Sequence, residues 1–71
     1  MVRTIQLLDE VALLQDVPTA KLVRGQVGTV VEELAAGVFE VEFCDNDGRT
    51  YAMAAISADC LIVLRYAPVA V

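Results

Sequence analysis

Alternation of apolar and polar positions dominates the middle of this chain. In Val38-Phe39-Glu40-Val41-Glu42-Phe43, the side chains of Phe39, Val41 and Phe43 share one side of an extended strand, while Glu40 and Glu42 share the other with Val38. The first set predicts a core face and the second a solvated one. A second β-branched segment, Gly25-Gln26-Val27-Gly28-Thr29-Val30-Val31-Glu32-Glu33, precedes it across the break Ala36-Gly37, so the two predict a hairpin from Val27 to about Phe43. Gly28 falls inside a strand, where a missing side chain predicts a bulge or a close backbone approach at a barrel corner.

The flanking segments complete an all-β plan. Val11-Ala12-Leu13-Leu14 predicts a first strand, stopped at Asp16-Val17-Pro18 because proline lacks a donor and drives the preceding residue out of helical space. A loop follows, and Lys21-Leu22-Val23-Arg24-Gly25 leads into the second strand. Asp47-Gly48 predicts a tight hairpin turn, glycine supplying the positive φ that such turns need. Thr50-Tyr51-Ala52-Met53-Ala54-Ala55 is alanine-rich and has weak strand propensity, yet the turn before it demands a partner, which predicts a fourth strand from Arg49 or Thr50 to about Ala55. Ser57-Ala58-Asp59 is long enough for one helical turn only, ahead of a last strand Leu61-Ile62-Val63-Leu64. The expected architecture is a small five-stranded SH3-like antiparallel barrel with a single 3-10 turn before the last strand. Residues 1–71 form one domain, with an ordered core over about 5–64 and a C-terminal tail, 65–71, that frays or adds as a strand to a neighbouring subunit.

Composition changes this picture in two ways. Seventy-one residues hide only about 60% of the extended chain's surface, yet 58% of the side chains are apolar, so some must lie outside and predict a contact surface for a partner or a homo-oligomer. Ten acidic residues against five basic ones give a net charge of −5, the wrong sign for a phosphate backbone. The acids sit within strands and turns rather than in a tail. Glu40, Glu42, Asp45 and Asp47 are the candidate partner-binding face, whose bland reading is a solvated surface that keeps an apolar protein soluble.

Candidate chemistry is sparse. The chain has no histidine, which removes the usual general base, the commonest metal ligand and the Ser-His or Cys-His pairing together. No catalytic, cofactor-binding or metal-ligating residues are expected, and the protein is read as a non-enzyme. Asp45-Asn46-Asp47-Gly48 shares the alternating oxygens of a calcium loop, but Ile56 stands where that loop needs a bidentate glutamate and the glycine comes two positions early. Gly25-Gln26-Val27-Gly28 lacks the Gly-Lys-Ser/Thr of a phosphate loop. Cys44 and Cys60 are expected as free, partly buried thiols. No apolar run approaches the roughly 18 residues of a membrane span, and the start has no signal-peptide character, so a cytoplasmic location is expected.

The combined pattern Leu8-Asp9-Glu10-Val11-Ala12-Leu13-Leu14, Asp16-Val17-Pro18, Leu22, Gly25-Gln26-Val27-Gly28-Thr29-Val30-Val31-Glu32, Glu40-Val41-Glu42-Phe43 and Asp47-Gly48-Arg49-Thr50 resembles the bacterial family called domain of unknown function 4926, from about Ile5 to Leu64. The resemblance implies a stand-alone bacterial protein without assigned catalysis and carries over no functional residues. The functional expectation is a non-enzymatic protein-interaction module: an accessory, inhibitory or antitoxin-like partner of another bacterial protein, such as the product of a neighbouring gene. The alternative is a nucleic-acid-binding barrel, similar to KOW elements, using Lys21, Arg24 and Arg49.

Overall fold

The computed structural model describes residues 5–68. Five strands, β1 (Glu10–Leu13), β2 (Val27–Ala35), β3 (Val38–Cys44), β4 (Thr50–Ser57) and β5 (Leu61–Val63), make one antiparallel sheet in the order β4-β3-β2-β1-β5. The all-β, five-stranded antiparallel expectation holds, as does the 3-10 turn before the last strand, at Ala58–Cys60. Hydrogen bonds do not close the sheet, since β4 and β5 are its two edges. A second 3-10 turn, Pro18–Ala20, lies in what the sequence reads as a plain loop. Its cause is local: Pro18 sits at the first helical position, where a fixed φ helps and the missing N–H costs nothing.

Alternation places the core where the pattern of β3 requires it. Phe39, Val41 and Phe43 are buried, joined by Val11 and Leu13 of β1, Val30 of β2, Ile56 of β4 and Leu61 of β5 in one cluster. Because residues from both edge strands enter that cluster, the sheet curls so that its inner face packs on itself. Leu22 completes the cluster from the β1–β2 connection, where Val17 and Leu22 pair as an isolated bridge. The first 3-10 turn, between those two residues, also approaches β4.

The alanines of β4 have a packing reason. Ala52 lies opposite Phe43 and Ala54 opposite Val41 on the inner face, so small side chains meet large ones across the pair. Propensity yields there to partnership with β3. The strand also runs two residues beyond its expected end, to Ser57.

Gly28 is the tightest point of the curl. A Cβ built on it would stand 2.6 Å from Val41 Cγ1, 2.9 Å from the Glu42 carbonyl oxygen and 3.0 Å from Phe43 Cδ2. Of the two sequence expectations for this glycine, close approach is the one realised. In β2 the register shifts fall later, between Val30 and Glu32 and between Glu33 and Ala35. Gly28→Ala is expected to destabilise the fold by about 2 kcal/mol, since buried backbone and two core side chains must move to admit a methyl; urea denaturation of the two proteins measures the difference.

Candidate functional site

The outer face of the sheet carries the acids, and strand pairing sets their order. Glu40 and Glu42, both half-buried, point away from the core on β3. Glu40 lies opposite Glu32 of β2 on one side and Ala55 of β4 on the other. Glu42 lies opposite Thr29 and Met53, and Thr29 in turn opposite Glu10 of β1. Two cross-sheet rows result, Ala55-Glu40-Glu32 and Met53-Glu42-Thr29-Glu10. Exposed apolar side chains border them, with Met53 at 53% exposure on β4, Val27 on β2 and Ile62 on β5.

Glu32 and Glu40 are a like-charge pair directly across two strands, an arrangement that costs stability in a sheet. Glu42 is better accommodated, because its carboxylate accepts a hydrogen bond from Thr50 Oγ1 at 2.9 Å. The register shift after Val30 aligns Glu32 with Glu40, while Glu33 faces Phe39. Glu10 and Glu32 therefore join the face through pairing, a signal that the sequence holds only once the bulges are known.

The two aspartates of the candidate face behave differently. Asp45 works on its own turn: Oδ1 accepts from the backbone N–H of Asp47 at 2.9 Å and of Arg49 at 3.0 Å, while the Gly48 N–H donates to the Asp45 carbonyl at 3.0 Å. Asn46-Asp47-Gly48 is thus a three-residue hairpin loop with Gly48 at φ 82°, the left-handed position that such loops close on. Asp47 is exposed at its tip. The structure brings Glu40 and Glu42 together on one strand face and leaves the aspartates at the end of the hairpin.

Two clefts flank this surface. One of about 280 Å³ is lined by Glu10, Gly28, Thr29, Glu42 and Asp45 beside the exposed thiol of Cys44. Cys44 is more open than the sequence suggested, whereas Cys60 is half-buried, and both are free. The other cleft, about 510 Å³, lies beside the second 3-10 turn with an apolar lining of Ile5, Phe39, Leu61 and Val63 and the charged groups Glu33, Asp59 and Arg65. Its lining joins apolar contact surface to charges of both signs. Among the described residues, no group of three or more Cys, Asp or Glu side chains is placed to hold a metal ion, and no helix is long and apolar enough to cross a membrane. Lys21 and Arg24 lie on the β1–β2 connection, where the Arg24 N–H donates to Asp16 Oδ1 at 2.9 Å, and Arg49 lies in the β3–β4 turn.

A family model described as Domain of unknown function (DUF4926) matches residues 7–63, a span that includes all five strands. No curated protein and no solved structure matches the chain.

Three substitutions at two positions separate turn support from surface charge. Asp45→Ala is expected to cost about 1 kcal/mol by freeing two turn amides, and Asp45→Asn, which keeps an acceptor, less. Glu40→Gln is expected to stabilise by a few tenths of a kcal/mol at low salt, with the gain shrinking as salt rises, because it removes one member of the facing pair. Denaturation midpoints at two ionic strengths check both.

Proposed function

We propose that this chain, which belongs to the DUF4926 family, acts as a non-enzymatic protein-interaction module of the bacterial cytoplasm. Its outer sheet face takes a basic surface or segment of another protein, in the manner of an accessory or inhibitory subunit. The observation that carries this reading is the pair of acid-bearing rows, Glu40-Glu32 and Glu42-Thr29-Glu10, set among exposed apolar side chains. Apolar contact supplies affinity at such a surface, and the carboxylates steer and orient a cationic partner.

The forced proximity of Glu32 and Glu40 adds a physical reason for a cation there. A positive group between them offsets the unfavourable pairing of two like charges directly opposite one another. The net charge of −5 acts in the same direction over longer range.

Co-expression with the protein encoded by the neighbouring gene is expected to yield a complex on size-exclusion chromatography. Its association weakens as salt is raised, and the double substitution Glu40→Gln with Glu42→Gln weakens it by about tenfold or more. Recovery of the free chain alone overturns this reading. So does saturable, salt-sensitive binding of RNA or DNA by the purified chain, which establishes the nucleic-acid alternative instead.

A further inference from the structure

The sheet has two unequal edges. β5 is three residues long, whereas β4 presents eight, Thr50-Tyr51-Ala52-Met53-Ala54-Ala55-Ile56-Ser57, with no charge and no proline among them. Sheet edges are ordinarily protected by lysine, proline, bulges or shortness, and over most of its length β4 shows none of the four. Its one irregularity lies near the Thr50 end, where the register with β3 shifts between Phe43 and Cys44.

The ladder shows which backbone groups are free. The Ala58 N–H donates to the Gly37 carbonyl at 2.8 Å, and this pair continues the register that sets Val38 opposite Ser57. In an antiparallel ladder hydrogen-bonded and non-hydrogen-bonded pairs alternate, so Ile56 and Ala54 bond toward β3, while the N–H and C=O of Met53 and Ala55 point away from it. The β1–β2 connection reaches β4 through the first 3-10 turn and through Gln26 Nε2, which donates to Tyr51 Oη at 3.3 Å. Among the described residues it makes no backbone hydrogen bond to Met53 or Ala55.

Met53 and Ala55 are also the ends of the two outer-face rows, opposite Glu42 and Glu40. A strand added beyond β4 lies two spacings from β3, about 10 Å. A lysine or arginine there, pointing to the outer face, reaches a β3 carboxylate by passing over β4, and the small side chain of Ala55 leaves its path to Glu40 open. A second such residue, two positions along on the same face, lies over Met53 and packs its alkyl stem along that exposed side chain on the way to Glu42.

From these observations we infer that β4 is a strand-addition site for an extended segment carrying Lys or Arg at alternate positions, bound through the backbone of Met53 and Ala55 and through Glu40 and Glu42. The inference rests on the basic-partner reading and specifies how that partner docks: main-chain pairing gives affinity, and the spacing of cations gives selectivity. A second copy of the chain offers the same backbone but brings acids toward acids.

The test uses the full chain and three short synthetic peptides. One alternates lysine with valine, one has the same composition with its lysines contiguous, and one is the alternating peptide with N-methyl groups on the amides of a single edge. The alternating peptide is expected to bind saturably and to perturb the amide resonances of Met53 and Ala55. Both controls are expected to bind about tenfold more weakly or worse, because one loses the cation spacing and the other the main-chain donors. Ala55→Pro, which removes an outward N–H, should weaken the alternating peptide similarly, and the N-methylated peptide makes the same test without altering the protein. Equal binding of all three peptides overturns strand addition and leaves the basic-partner reading standing. Absence of binding by any of them overturns both. A dimer of the chain alone, held through β4 as shown by β4–β4 cross-strand contacts, also overturns the inference, since a second copy then occupies the edge.

Discussion

Everything in this molecule depends on how closely β2 crosses β3 at Gly28. A flat five-stranded sheet has two faces to cover and, among the described residues, no α-helix to cover either, so the chain gains a core by curling one face onto itself. The curl needs a place where backbone meets side chains without a Cβ between them, and Gly28 provides it against Val41, Glu42 and Phe43. Phe43 and Val41 are then fully buried, and residues of both edge strands reach the same cluster.

Curling the inner face decides what the outer face becomes. The convex side cannot be buried within the same chain, so whatever alternation places there stays in contact with water. The register shift in β2 between Val30 and Glu32 determines which glutamates lie side by side and sets Glu32 against Glu40. That they coexist on a sheet with exposed Met53, Val27 and Ile62 gives the outer face a chemistry distinct from a uniformly solvated one.

The alternation of β3 was legible to the residue: Phe39, Val41 and Phe43 inside, Glu40 and Glu42 outside. Strand number, strand direction and the turn before β5 were legible as well, because Gly37, Gly48 and Pro18 punctuate the chain where hydrogen-bonding patterns must stop. Three things were not. Leu22 enters the core from the β1–β2 connection, where no alternation distinguishes it from the adjacent Val23, which is exposed. The cross-strand company of Glu40 depends on bulges that no local pattern announces. Asp45 reads as part of a turn and as a member of the acidic face, yet its carboxylate is engaged by its own turn amides, a role that depends on the three-residue loop rather than on charge. The open side of the sheet also differs from the closed barrel that the pattern suggests, since the short β5 pairs with β1 alone.

The inequality of the sheet's two margins has an outcome for assembly. Open-ended polymers require each molecule to offer two complementary seams, one to receive and one to donate. With a three-residue seam on one side and an eight-residue seam on the other, stacking that starts at the longer margin meets no seam of matching length on which to continue. The asymmetry works against head-to-tail strand stacking, because the two margins are poorly matched in length.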